Sequence, residues 1–276
     1  MLRRRHSQVK YEEIIYERED GIAIITLNRP EKLNALTPRT CLEVTEALKE
    51  VGEDDELKVL ILTGAGRAFC SGGDVVAWRE LTPWARQEVG RSIRLEGMEA
   101  AGTMMRALRN LVKPTIAAVN GFAAGAGFSL AVSFDLRIAS ENARFYSAFV
   151  SRAVTPDTGL TYFLPRLIGA PRALELMWAG DIIDAKEAER IGLVNRVVPH
   201  DELLKTTNEL ATRIAKGPSV AIELTKRLVY SGLEANHYFL QLACEAWGMS
   251  TCWETEDVEE GARSFLEKRP PQFKGR

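Results

Sequence analysis

The hydrophobic pattern changes character along the chain. Residues 11–17 and 21–27 (GIAIITL) are rich in Ile and separated by a polar Glu-Asp-Gly turn, which predicts two strands joined as a hairpin. Asn28-Arg29-Pro30 ends the second. Thr37-Pro38 opens a helix, with Thr as N-cap and Pro at the first position, and Leu42, Val44, Ala47, Leu48 and Val51 are assigned to its apolar face. Val59-Leu60-Ile61-Leu62 reads as a short buried strand ending at Gly64, and the loop GAGRAFCSGGD follows. Residues 86–112 read as an amphipathic helix that Lys113-Pro114 stops. Thr115–Val119 is a second buried strand, Asn120-Gly121 and the run FAAGAGFSLAVSF come next, and residues 135–139 form a further strand. This alternation predicts βαβ units with right-handed crossovers and a mostly parallel sheet. Beyond residue 157 the pattern is helical, over 158–168, 172–179, 184–191, 201–215, 218–231, 235–250 and 256–268, with Val194–Val198 the main exception. There are no repeats and no Ser/Gly linker.

Composition narrows the picture. The 276 residues, 46% hydrophobic and 27% charged, describe an ordinary globular chain and exclude disorder as the dominant state. The charge sum of 36 cations and 38 anions, −2, argues against a nucleic-acid partner, which would require a basic surplus. Cysteines at 41, 70, 244 and 252 form no C-x-x-C, and histidines at 6, 200 and 237 form no H-x-x-x-H, so no metal site is expected and the thiols read as free. No apolar run approaches the roughly 20 residues of a membrane span. The start, MLRRRHS, lacks the apolar stretch of a secretory signal, so a cytoplasmic location is expected.

The candidate chemistry lies in two strand-to-helix loops, Gly64–Asp74 and Asn120–Ser129. Both are rich in Gly and Ala, which let a ligand approach the backbone. Amides converging from two such loops make an oxyanion hole; close packing of helix on sheet is the alternative reading. The spacing fits neither G-x-G-x-x-G nor G-x-x-x-x-G-K-[ST], there is no G-x-S-x-G, and no core histidine can serve a Ser-His-Asp triad.

LNRPEKLNAL (27–36), VLILTGAGRAFCSGGDV (59–75), KPTIAAVNGFAAGAGFSLAVSFDLRIAS (113–140), GLVNRVVP (192–199) and TEDVEEGARSFLEKRPPQFKG (255–275) resemble, in order, the crotonase (enoyl-CoA hydratase/isomerase) superfamily. The resemblance runs from about Tyr11 to the end. It implies an α/β fold, a spiral of ββα units, with a core at 11–200 holding an acyl-CoA site and a helical region at 201–276 that drives assembly into a homotrimer or a dimer of trimers. It implies an acyl-CoA thioester as substrate, coenzyme A being part of that substrate, and no permanently bound cofactor. It places the oxyanion amides at Ser71 and Ala126. Residues beside them, Arg67, Ala68, Phe69, Gly72, Gly73, Asp74, Gly125, Ser129 and Phe149, become candidates for substrate binding. Phe265 and Lys268 become candidates for reaching the coenzyme A of a neighbouring subunit.

The chain also departs from the family. Hydratases of this family carry two glutamates for activating water. Their places hold Ser129 and Phe149 here, neither of which exchanges protons as a carboxylate does. One acid remains, Asp157 in Val154-Thr155-Pro156-Asp157-Thr158-Gly159. Residues 145–169 resemble the ring-epoxide isomerases of phenylacetyl-CoA breakdown, in which the corresponding aspartate is the single base. The implied activity is therefore acyl-CoA isomerisation: a double-bond shift or a ring-epoxide rearrangement. A hydratase using other groups, an aspartyl nucleophile as in aryl-CoA dehalogenases, and a non-catalytic acyl-CoA-binding member are the alternatives. Helix capping is the structural reading of Asp157 and Asp74. Core packing is the structural reading of Phe122, Trp78, Phe149 and Cys70, and a surface position that of Arg67.

Overall fold

A computed structural model of the chain describes residues 11–76, 91–234 and 237–276. Strands β1 (Ile14–Glu19) and β2 (Ile22–Leu27) pair antiparallel, and the turn residues Asp20 and Gly21 both adopt positive φ. That turn twists with the hairpin rather than against it. β1 buries only Ile14 and exposes Glu17, Arg18 and Glu19, which suits an edge strand. β2 continues in parallel into β3 (Val59–Gly64), β5 (Thr115–Val119), β7 (Leu136–Ser140) and β10 (Arg196–Val198), giving a six-stranded sheet of order β1-β2-β3-β5-β7-β10. β3 and β5 are buried at every position because helices cover both of their faces.

On one face lie α1 (Pro38–Glu53) and α2 (Arg91–Asn110), packed on each other. The α1 start is as the sequence predicts: Thr37 Oγ1 accepts the Thr40 N–H at 3.0 Å, Thr40 Oγ1 accepts the Thr37 N–H at 3.2 Å, and Pro38 follows. Its buried stripe is Cys41, Val44, Ala47, Leu48 and Val51. Leu42 departs from the assignment and points outward, because two residues before Val44 is about 200° around the helix, whereas Cys41 is three before. The part of the expected 86–112 helix before residue 91 lies outside the described residues, as does Trp78. The opposite face of the sheet (Ile22, Val59, Ile61, Ile116, Ala118, Ile138) is closed by Leu203 and Ala211 of α7 (Leu203–Ala215), a helix that the sequence reading groups with the C-terminal region.

A second, four-stranded sheet was not visible in the pattern. Its order is β4-β6-β8-β9, from β4 (Ala68–Cys70), β6 (Phe122–Ala124), β8 (Arg144–Tyr146) and β9 (Ile183–Asp184). β4 and β6 lie inside the two Gly-rich loops, so the stretch read as an irregular loop from Gly64 to Asp74 contains a strand. α3 (Ala126–Val132) follows β6 directly. Its Gly127 sits so close to β4 that an added Cβ would stand 2.1 Å from the Cys70 carbonyl oxygen.

The remaining helices are α4 (Leu160–Ile168), α5 (Ala170–Ala179), α6 (Ala185–Arg190), α8 (Ser219–Glu234), α9 (Tyr238–Trp253) and α10 (Glu256–Glu267), close to the predicted spans. α9 leaves Tyr238, Phe239, Leu240, Trp247, Met249 and Trp253 exposed. After α10 the chain turns back at Lys268 and is pinned: Asp257 accepts the N–H groups of Lys274 (2.7 Å) and Gly275 (2.9 Å), and Glu260 holds the Arg269 guanidinium (2.6 and 2.8 Å).

Gly127→Ala is expected to lower stability by about 2 kcal/mol, although Gly-to-Ala inside a helix ordinarily stabilises. Urea denaturation of the two proteins gives the sign.

Candidate active site

The first loop is shaped by satisfaction of its buried backbone. Asn34, 1% exposed, donates Nδ2–H to the carbonyls of Ala65 (2.9 Å) and Ala68 (2.7 Å) and accepts the Arg29 N–H at 3.0 Å. Asn120, from the second loop, donates to Gly66 O (2.9 Å) and Ala68 O (3.2 Å) and accepts the Gly64 N–H (3.3 Å). Neither asparagine was singled out from sequence. The signal was available only as their positions, one in LNRPEKLNAL and one directly after β5. Of the candidates in this loop, Arg67 is exposed. Ala68 and Phe69 are buried, and Phe69 belongs to the main core, so its side chain packs with the fold rather than with a ligand.

The next residues correct one assignment. Ser71 donates its amide to Leu33 O at 2.9 Å and its hydroxyl to Lys32 O at 3.3 Å, so its N–H is already engaged. Gly73 forms a parallel bridge with Leu36, in which Leu36 N–H bonds Gly72 O (2.7 Å) and Asp74 N–H bonds Leu36 O (2.9 Å). In a parallel bridge the partners are the residues flanking Gly73, so its own N–H points away from Leu36. Gly72 adopts φ +99, and a Cβ there would lie 2.8 Å from Ala124 O and 3.4 Å from the Ala126 nitrogen, which measures how closely the two loops approach.

From the other side, Gly125 donates its amide to Tyr146 O (2.9 Å) and precedes Ala126, the first residue of α3, whose N–H has no intrahelical acceptor. The two loops enclose a cavity of about 320 Å³. Ser71, Gly72, Gly73, Gly125 and Ala126 line it, facing Val75, Ala148, Phe149, Val154 and Arg152. Phe149 is 3% exposed, with its ring edge over Gly125, so the aromatic is both core and cavity wall. Arg152 donates to Ala148 O at 2.7 Å and is the one charged residue among the described lining residues. It was missed because an arginine in an irregular loop carries no periodic signal.

Ser129 is fully buried on α3, and its hydroxyl reaches Asp157 O at 3.0 Å and Gly125 O at 3.3 Å. Asp157 itself is not a lining residue. It opens a turn at the N-terminal end of α4 in which Leu160 N–H returns to Asp157 O (3.1 Å) and Thr158 takes φ +50. Asp157 is exposed, yet the neighbouring protein still desolvates its carboxyl and raises its pKa, against the opposing hydrogen bond from Thr158 Oγ1 at 3.1 Å. Asp157 does not cap α4 through its side chain, which makes no bond to a helical N–H; Gly159 is the cap residue. Asp74 behaves as a cap: its carboxylate accepts the Val76 N–H (3.1 Å) and pairs with Arg29 (3.2 Å).

Phe122 stacks toward Tyr146, with centroids 6.5 Å apart, and does not line the cavity. Phe265 and Lys268 are exposed on α10 and its C-cap, also away from the lining. Burial pushes the Cys70 thiol up to about 12, which leaves it protonated and unreactive near neutral pH. Among the described residues no cluster of His, Cys, Asp and Glu could hold a metal ion, and no helix is long and apolar enough to cross a membrane.

Residues 17–276 match the family model described as enoyl-CoA hydratase/isomerase. The chain is 38% identical over 266 residues to the crotonyl-CoA hydratase of Syntrophomonas wolfei, covering 95% of this chain and 98% of that protein. It is equally 38% identical over 259 residues to the 1,2-epoxyphenylacetyl-CoA isomerase of Escherichia coli K12, covering 94% and 97%. The crystal structure of an enoyl-CoA hydratase from Bacillus anthracis superposes with a TM-score of 0.88 at 33% identity, covering 96% of this chain and 100% of that one. Identity alone therefore does not choose between adding water and isomerising.

Asn120→Ala leaves the Gly66 carbonyl and the Gly64 amide without this partner. A stability loss of about 2 kcal/mol is expected, with a fall in turnover as the first loop loosens. Thermal melts alongside steady-state kinetics check it.

Proposed function

The chain belongs to the enoyl-CoA hydratase/isomerase family, and within it we propose an acyl-CoA isomerase that moves a double bond, or rearranges a ring epoxide, by proton transfer through Asp157. The observation that carries this reading is at the two places that the resemblance gives to the water-activating glutamates: Phe149 forms part of the cavity wall, and Ser129 is fully buried with its hydroxyl on the carbonyl of Asp157, the acid at the start of α4. The hydratases that the chain resembles activate water with two glutamates. Moving a proton along a conjugated thioester requires one base and no water.

The thioester oxygen is received by the amides of Gly73 and Ala126, and each donor is worth about 3 kcal/mol to the enolate-like transition state. The acyl group extends toward Val75, Phe149 and Val154. The Asp157 carboxylate removes a proton from a carbon conjugated with the thioester, directly or through the adjoining double bond. Negative charge moves to the thioester oxygen as the dienolate forms, and the carboxyl returns the proton two carbons along. The raised pKa of Asp157 favours its neutral form and so assists the return. The core over 11–200 carries this chemistry. The apolar face of α9, with Phe265 of α10, joins copies of the chain into a trimer or a dimer of trimers and brings Lys268 to a neighbour's coenzyme A.

Three measurements test the reading. Asp157→Asn is expected to keep the fold and thioester binding but lose about 10³-fold in turnover. The wild-type enzyme, offered 3-enoyl-CoA in deuterated water, is expected to yield the 2-ene with deuterium incorporated and no gain of water by mass. Hydration of 2-enoyl-CoA, or an undiminished Asp157→Asn variant, would overturn it. With the base working as a carboxylate, kcat/KM should fall as the pH drops through the Asp157 pKa, with the inflection above the ordinary aspartate range.

A further inference from the structure

The geometry points to Ser129 as a positioning residue that holds the proton-transferring aspartate in register with the oxyanion amides. This inference rests on the assignment of Asp157 as the base. Ala126 and Ser129 are three residues apart on α3, so one rigid turn of helix joins the amide that fixes the thioester oxygen to the hydroxyl that reaches Asp157 O at 3.0 Å. Ser129 is fully buried, and its hydroxyl crosses from α3 to the turn before α4. That turn has little stability of its own. Thr158 is held at φ +50, which a β-branched residue strongly disfavours, and Gly159 follows at φ +90. Apart from the Ser129 hydroxyl, the Asp157 carbonyl takes only the local N–H of Leu160 at 3.1 Å among the described bonds.

A base must stay within hydrogen-bond reach of the carbon it deprotonates, and small displacements are costly because the reacting atoms must remain in near-attack geometry. Without the hydroxyl, the strained turn can relax away from α3 and take the carboxylate with it. Two consequences follow that simple loss of packing does not produce. Turnover falls while thioester affinity, set by the amides, stays. The carboxyl also regains water, so its raised pKa drops toward the ordinary value and the acid limb of the pH profile moves to lower pH.

Ser133 supplies a matched control. It is a buried serine at the C-terminal end of the same helix, with its hydroxyl on Ser129 O (2.8 Å) and Leu130 O (2.9 Å), and it makes no bond to the Asp157 turn. The test compares Ser129→Ala, Ser129→Thr, Ser133→Ala and Asp157→Asn by kcat, KM and pH profile with 3-enoyl-CoA, at a temperature where circular dichroism shows each folded. The expected result for Ser129→Ala is a fall of about 10-fold or more in kcat, KM within about 2-fold, and an acid limb shifted down. Ser129→Thr should recover part of the loss, and Ser133→Ala should match wild type. If Ser129→Ala matches Ser133→Ala in kcat and in pH profile while Asp157→Asn is inactive, the positioning role is wrong and the base assignment stands. If Asp157→Asn remains active, the base assignment fails first. Should Ser129→Ala not fold, Ser129→Cys, a weaker donor of similar size, takes its place: a lowered kcat with an acid limb shifted down at wild-type KM supports the role, and wild-type kcat and pH profile overturn it.

Discussion

The close approach of two backbone loops is the constraint on which the site depends. β4 and the start of α3 come near enough that Gly127 leaves no room for a methyl group against the Cys70 carbonyl. Bringing two irregular segments into a buried position strips their peptide groups of water, and each group then requires a partner. Asn34 and Asn120 supply these partners, and both donate to the Ala68 carbonyl. The second small sheet supplies the rest. Its strands of two and three residues carry Phe69 and Phe145 into the main core and pair the backbone on both sides of the cavity, while the Gly73 N–H points away from Leu36 and the Ala126 N–H has no intrahelical acceptor.

The larger sheet was legible because its strands and covering helices follow regular periods. The α1 cap was legible because Thr-Pro before an apolar stripe has one local meaning. The second sheet was illegible for the opposite reason: a three-residue strand such as Phe122–Ala124 has no period, and its pairing is decided by residues far away in sequence. The misplacement of Leu42 shows the limit of counting apolar residues without fixing their phase, since Cys41 was the residue on the buried stripe.

The oxyanion loop shows the same limit in a sharper form. Ser71, Gly72 and Gly73 are indistinguishable by composition, and a Gly-rich turn announces only that some amide can face a ligand. Simple alternation would turn the N–H groups of Ser71 and Gly73 to the same side, but Gly72 at φ +99 breaks the extended run, and pairing to Leu33 and Leu36 consumes the N–H groups of Ser71 and Asp74 and leaves that of Gly73. Composition therefore does not give the direction of the donor. Only the long-range contact with residues 33–36 fixes it, and those residues lie in a segment whose left-handed Leu33 and Asn34 no helix or strand pattern describes.

The exchange of side chains around the cavity has its own energetic logic. A carboxylate at position 129 would be buried completely and would require water or a cation beside it to remain charged. A serine there is satisfied by the backbone carbonyls of Asp157 and Gly125, and Phe149 fills the wall where the resemblance places the second carboxylate. Asp157, the acid proposed to move the proton, is exposed at the start of α4, and desolvation by the neighbouring protein raises its pKa. A wall of Val75, Ala148, Phe149 and Val154 suits the isomerisation proposed above, in which every atom of the substrate is conserved and no water is added.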